Sequence, residues 1–208
     1  MLIKLYGDLV YALSTIRNIA KLKLDLSDCI TMDDIFNPSI FHKEMRDEII
    51  SLILPDTIKE VYLDSDTSPD FRSLQTISGK NVLYIHDYAL CDCPSLVSID
   101  FPNVISIDDN AFYNCTLLKT VDFPNVTSIG NYAFFNCISL KTMNFPNVTS
   151  IGKYAFGNCF KLESINLLKI HEVEYTTIFH QCRSLKTINL FRYYIDEFMP
   201  GVCNELFD

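Results

Sequence analysis

The chain has 208 residues, of which 49% are hydrophobic and 21% are charged, a balance typical of a globular domain rather than a disordered segment. Its formal net charge of −9 disfavours contact with phosphate, so we expect no nucleic-acid partner. Because no run of apolar residues approaches about 18, we also expect no membrane insertion.

The first 53 residues predict a partly helical N-terminal cap. One helical stretch is expected from Asp8 to Ala20, and the spacing of Ile19–Leu24 allows a degenerate repeat. A second helix is expected over 40–53, with Pro55 ending the pattern. Its apolar face contains Ile40, Phe41, Met45, Ile49, Leu52 and Ile53.

The N-terminus does not have the pattern of an export signal. Asp8 interrupts its apolar stretch, Arg17 follows soon after, and there is no clear small-residue cleavage site. We therefore expect an intracellular protein, with secretion or display at the cell surface as the alternative.

Residues 54–190 repeat themselves and predict a solenoid, with the most regular repeats over 79–190. Three nearly identical phrases begin at Phe101, Phe123 and Phe145, so the period is 22 residues. Each repeat ends in the pattern L-x-x-Φ-x-Φ, where Φ is apolar, and the last three positions alternate as they do in a strand. We therefore predict one parallel strand per 22-residue repeat, with strands stacked at about 4.8 Å.

The same pattern can be read earlier in the chain than the three repeated phrases, which would extend the array toward the N-terminus. The three readings are Leu96-Ile99-Phe101, Ile58-Val61-Leu63 and Ile19-Leu22-Leu24.

Residues one period apart form columns, and each column predicts a role. A stacked aromatic core is predicted at Phe112, Phe134, Phe156 and Phe179. A ladder of buried free thiols, whose parallel side chains do not point toward one another, is predicted at Cys93, Cys115, Cys137, Cys159 and Cys182. Turn-shaping amides are predicted at Asn114, Asn136 and Asn158. Turns with positive φ are predicted at Gly130 and Gly152.

The motifs give no sign of catalytic or metal chemistry. The sequence has no H-E-x-x-H motif and no phosphate-binding glycine loop. Cys91-x-Cys93 and His180-x-Cys182 approach metal-ligand spacing, but neither has a second pair at a suitable distance. We therefore predict a protein that is not an enzyme and that uses no cofactor and no metal.

The repeated phrases FPNVTSIGNYAFFNC and LKTMNFPNVTSIGKYAFGNC resemble the leucine-rich-repeat superfamily, and more closely its BspA-like branch. The resemblance is strong over 79–190 and weaker over 54–78. It implies an α/β repeat solenoid, right-handed, whose strands line a concave binding face. It also implies a binding scaffold, since BspA-like proteins are often surface or secreted proteins linked to adhesion.

The outward positions of the predicted strands are the candidate partner-binding residues. They are Lys119, Thr120, Asp122, Lys141, Thr142, Asn144, Glu163, Ser164, Asn166, Lys186, Thr187 and Asn189. Stacked polar side chains can also serve only as structural ladders that bond along the solenoid, and the sequence does not separate these two readings.

Three functions are compatible with the sequence. The first is a non-catalytic scaffold that presents the concave face to a protein partner. The second is a surface adhesin-type module that binds a host protein or glycan, and the third is a passive element that stacks on copies of itself. The tail over 191–208 is predicted to cap the last repeat, with Phe191, Arg192, Tyr193 and Tyr194 as a hydrophobic plug or a second contact patch.

Overall fold

The computed structural model describes residues 21–29, 31, 33–38, 41, 43–62, 71–170 and 175–190. The elements in chain order are β1 (Leu22–Asp25), β2 (Ile35–Phe36), α1 (Lys43–Arg46), β3 (Ile49–Ile53), β4 (Glu60–Val61), β5 (Thr76–Ser78), β6 (Tyr84–Ile85), β7 (Ser98–Asp100), β8 (Ser106–Ile107), β9 (Thr120–Asp122), β10 (Ser128–Ile129), β11 (Thr142–Asn144), β12 (Ser150–Ile151), β13 (Ser164–Leu167), α2 (Tyr175–Ile178) and β14 (Thr187–Leu190). The helix predicted over Asp8–Ala20 and the tail over 191–208 lie outside the described residues.

The first ladder of parallel strands carries the L-x-x-Φ-x-Φ pattern, as predicted. It consists of two four-stranded sheets, β1-β3-β5-β7 and β9-β11-β13-β14. Partners are one repeat apart, because Thr120 pairs with Thr142 and Thr142 with Ser164. In β9 the middle residue Val121 is buried while Thr120 and Asp122 are exposed, so the predicted alternation holds.

A second parallel ladder shows that the prediction of one strand per repeat was wrong. The two-residue strands β2, β4, β6, β8, β10 and β12 form a six-stranded sheet on another side of the solenoid. In β8, β10 and β12 this strand is a Ser-Ile pair, with Ile107 paired to Ile129 and Ile129 to Ile151. A strand of two residues is too short for its alternation to be recognised in the sequence.

The predicted helix over 40–53 is wrong over most of its described length. Only α1 is helical there, and β3 is a strand paired to β1 and β5. Leu22 pairs with Ile49, but the next residue, Lys23, pairs with Ser51. One residue of β3 is therefore left without a partner in β1, and it forms a bulge. A bulge lets residues three apart, here Ile49 and Leu52, both reach the core, which imitates helical spacing.

Two of the upstream readings of the repeat pattern were assigned to the wrong column. Val61 pairs with Ile85 and therefore belongs to the second ladder. Leu24, rather than Leu22, pairs with Leu52 at the middle position of the first ladder. The array is confirmed to reach β1, but with a register that differs from the predicted one.

The aromatic column forms the centre of the core, as predicted. The ring of Phe134 is fully buried and stacks on Phe112 at 5.1 Å and on Phe156 at 5.7 Å between centroids. Phe156 stacks in turn on Phe179 at 5.6 Å. Each turn therefore packs through its ring against the turn before it and the turn after it.

The turns contain two columns of left-handed residues. Asn114, Asn136 and Asn158 have φ of 61°, 62° and 59°, which confirms their predicted role. Their amides also form a ladder, since Asn136 Nδ2 donates to Asn114 Oδ1 over 2.7 Å and Asn114 Nδ2 donates to Asp92 Oδ1 over 2.7 Å. The second column, which includes Tyr132 with φ of 56°, was not predicted from the sequence.

The two glycines of the turn are required by close approach rather than by positive φ, so the predicted reason was wrong. A Cβ on Gly152 would lie 2.4 Å from the backbone nitrogen of Asn131. A Cβ on Gly130 would lie 2.5 Å from the backbone of Asp108 and Asp109. Successive turns thus come into backbone contact here, and a side chain would force them apart.

Candidate interaction surface

The strand face is defined here as the outward residues of β9, β11, β13 and β14 and the residue before each strand. It contains all twelve candidate residues, and pairing brings them into three parallel columns. The lysine column is exposed throughout, at Lys119, Lys141 and Lys186 with Glu163 between them. Within the described chain these four charged groups form no ion pair, so their charges remain available to a partner.

The amide column of the strand face is held together by hydrogen bonds. Asn144 Nδ2 donates to Asp122 Oδ1 over 3.2 Å, and Asn166 Nδ2 donates to Asn144 Oδ1 over 3.1 Å. The structural-ladder reading therefore applies to this column. In the neighbouring hydroxyl column, the Thr120 and Thr142 side chains make no hydrogen bond within the described part of the chain, so their hydroxyls can bond to a ligand.

The cysteine column lies in the core and is bonded to the backbone. The thiol of Cys137 donates to the carbonyl of Phe112 over 3.1 Å, and the thiol of Cys159 donates to the carbonyl of Phe134 over 3.3 Å. Burial raises the pKa of both thiols well above the usual range for cysteine, and it raises the pKa of Cys182 to about 12. These thiols therefore lack the thiolate character that a nucleophile or a metal ligand needs.

A histidine bridge crosses the second ladder and was not found from the sequence. The ring nitrogens of His86 lie 2.9 Å from Glu60 Oε2 and 3.1 Å from Asp108 Oδ2. Tyr84 stacks on the imidazole at 6.3 Å, and Tyr62 contacts it edge-on at 5.9 Å. The sequence contained one sign of this contact, because Asp108 follows His86 by one period of 22 residues. Because both ring nitrogens are engaged, the bridge joins three turns and leaves the imidazole no free nitrogen.

A shallow groove runs along the corner between the two ladders. Its lining residues are Asp56, Thr57, Lys59, Asn81, Leu83, Asn103, Ile105 and Asn125. The amides of Asn103 and Asn125 donate to the carbonyls of Lys80 and Pro102, so they mainly stabilise the turns. Within the part of the chain that the structure describes, no three His, Cys, Asp or Glu side chains are placed to hold a metal ion.

None of the helices among the described residues has the length and apolar character needed to cross a membrane. The stacked parallel strands and buried columns are matched in solved structures. The chain is similar to the leucine-rich-repeat protein TpLRR of T. pallidum, with 27% identity, a TM-score of 0.61, and coverage of 67% of this chain and 69% of that chain.

Two further solved structures are similar to this chain at lower identity and lower TM-score. The pneumococcal vaccine antigen PcpA is 19% identical with a TM-score of 0.49, and the match covers 75% of this chain and 36% of that one. A leucine-rich cell surface protein from Faecalibacterium prausnitzii is 19% identical with a TM-score of 0.39, over 73% of this chain and 63% of that one. This chain thus spans only part of the length of each of these proteins.

No curated protein is significantly similar in sequence to this chain. The family described as BspA type leucine rich repeat region matches in six copies, over residues 40–125 and 83–197. These matches together extend over well more than half of the chain, and they include the strands from β3 to β14, the aromatic column and the thiol column. The chain belongs to the BspA-type leucine-rich-repeat family.

Proposed function

We propose that the protein is a non-catalytic interaction scaffold whose strand face binds a protein partner. The observation that carries this proposal is the exposed lysine column, which forms no ion pair within the described chain although the backbone beneath it is fixed by parallel pairing. Parallel pairing fixes the spacing of the column, so its positive charges are presented without reorganisation of the backbone on binding.

The chemistry of the described residues supports a non-catalytic role. The thiols are buried and hold their protons, and the imidazole of His86 is occupied on both sides by carboxylates. Neither arrangement presents a nucleophile beside a free base, which covalent catalysis requires.

We predict that reversing the lysine column will abolish partner binding. The triple variant K119E/K141E/K186E replaces three attractive charges with three repulsive ones at exposed positions, so the fold should persist while affinity falls by about tenfold or more. The measurement is chemical cross-linking and affinity capture of the partner from native extract, with thermal melting to verify the fold.

A matched control is the triple variant K59E/K80E/K169E, which changes the net charge equally at exposed positions away from the strand face. It should capture the same partner as the wild type. Capture of the partner by K119E/K141E/K186E would contradict the proposal. Concentration-dependent oligomers that tolerate the same reversal would instead favour the self-stacking element considered above.

We propose that this scaffold works at the cell surface rather than inside the cell. Free cysteines do not oppose this location, because burial alone keeps such thiols reduced in either compartment. The adhesive surface proteins that the BspA-like resemblance implies then become the better guide. We predict that a membrane-impermeant amine label will modify the protein on intact cells. Labelling that requires lysis would contradict this location.

A further inference from the structure

The loop side is defined here as the segments that lead from the second ladder back to the first, namely residues 86–96, 108–118, 130–140, 152–162 and 176–185. It is opposite in character to the strand face, because it contains large apolar groups that remain exposed. Among them are Tyr88, Leu117, Tyr132 and Phe160, with 51%, 48%, 36% and 38% of their surface accessible. Aromatic and arginine side chains are the groups that most often dominate the binding energy of interfaces.

Charge divides the loop side into two halves. The first two segments contain Asp87, Asp92, Asp108 and Asp109. The last three segments contain no Asp or Glu, but they contain the exposed side chains of Lys153, Lys161, His180 and Arg183. Lys153, Lys161 and Arg183 form no ion pair within the described chain. Asp109 borders this half, since its Oδ1 accepts hydrogen bonds from Asn131. In a protein with a net charge of −9, the unpaired cations of this half still attract acidic groups.

The aromatic rings in this half present their edges outward. Tyr132 stacks on Tyr154 at 5.2 Å with the ring planes 16° apart, so these faces cover each other. Phe135 stacks on Tyr113 at 5.5 Å, and its ring lies so close to Gly157 that a Cβ there would meet it at 2.7 Å. Both faces of Phe135 are therefore covered.

The outward orientation of the ring edges determines which kind of ligand this surface can bind. The edge of an aromatic ring is the positive part of its quadrupole and attracts anions, whereas the face attracts cations and packs on flat apolar surfaces. Arg183 covers one further ring, since its guanidinium carbon lies 5.6 Å from the centroid of Phe160. Ring edges, tyrosine hydroxyls and cations together suit carboxylates.

We propose that the last three segments of the loop side, from Gly130 to Leu185, are a second binding surface that takes an acidic polypeptide segment of a partner protein. The site is separate from the strand face. An experiment can therefore disprove binding at one surface without disproving binding at the other. The first and third of these turns are two spacings of about 4.8 Å apart, or about 10 Å in total. This distance matches about three or four residues of extended chain.

The test uses the full chain and a fluorescently labelled decaglutamate peptide, measured by fluorescence anisotropy at low salt and again at high salt. We expect saturable binding that weakens with salt, since the attraction is largely electrostatic. The variant K153E/K161E/R183E should bind at least about tenfold more weakly. The variant K59E/K80E/K169E changes the net charge equally, lies outside both surfaces and should bind within about twofold of the wild type.

A second variant tests the rings without changing charge. Y132N/Y154N removes the stacked tyrosines yet keeps the turn, because the same column holds Asn110 with φ of 58° one repeat earlier. We expect it to bind several-fold more weakly, with unchanged circular dichroism. Absence of binding by the wild type, or equal losses in the two charge-reversal variants, would overturn the proposal. So would tighter binding of a hyaluronate oligosaccharide or a single-stranded oligothymidylate.

Discussion

Replacing Phe134 with alanine is expected to lower the free energy of unfolding by about 3–5 kcal/mol. The ring has no accessible surface and touches three others, on Phe112, Phe145 and Phe156, with centroids 5.1–5.9 Å away. Its loss leaves a cavity that the rigid turns cannot collapse to fill. Because each turn is stabilised mainly by its neighbours, the contacts on both sides weaken together. Urea titration followed by circular dichroism measures the change.

Phe160 provides the matched control for this prediction. The same substitution there removes a ring that is 38% exposed and contacts Arg183, so the expected loss is below about 1 kcal/mol. Equal losses at the two positions would show that the aromatic column does not carry the stability of the core.

Raising the pH above about 9 is expected to destabilise the fold through the thiol column. Burial keeps the thiols of Cys137 and Cys159 protonated in the folded state, because it raises their pKa above the value in the unfolded chain. The unfolded chain releases these protons near its ordinary cysteine pKa, so the folded state binds more protons above that pH. The stabilisation is therefore complete below about pH 9 and is lost as the pH rises, at about 1.4 kcal/mol per fully buried thiol per pH unit.

Alanine substitution separates this effect from the ionisation of tyrosine. The variant C137A/C159A retains every tyrosine, so the difference in slope between it and the wild type reports the two thiols alone. We expect the plot of unfolding free energy against pH between about 9 and 11 to be shallower by about 2.8 kcal/mol per pH unit in the variant. Parallel slopes would contradict the prediction, as would native thiolate absorbance near pH 9 that disappears in C137A/C159A.

The parts of the fold that repetition encodes could be predicted from the sequence. The 22-residue period, the phenylalanine column and the alternation of β9 follow from residues that recur at fixed spacing, and all three are present. The strand at Ile49–Ile53 was missed because its bulge gives apolar residues a spacing of three. The second ladder was missed because a Ser-Ile pair is too short to show a period.

The candidate site could likewise be predicted only in part from the sequence. Alternation identifies which side chains of β11 point outward, so Thr142 and Asn144 could be assigned to the strand face. The orientation of a ring could not be assigned, because it depends on contacts between turns such as that of Phe135 with Gly157. The bridge from His86 to Glu60 and Asp108 has the same origin, since it joins residues 26 and 22 positions apart.

The 22-residue spacing of the hydrogen bonds that join successive turns has a consequence for folding. Contacts between residues about a tenth of the chain length apart correspond to a low relative contact order, which in small proteins accompanies fast folding. Among the described residues, successive turns thus pair without any single distant pairing that must form before the rest. Structure can begin at any pair of adjacent turns and extend one turn at a time, and unfolding can proceed inward from either end. Any ligand that spans several turns would couple their local equilibria and make the array unfold more cooperatively.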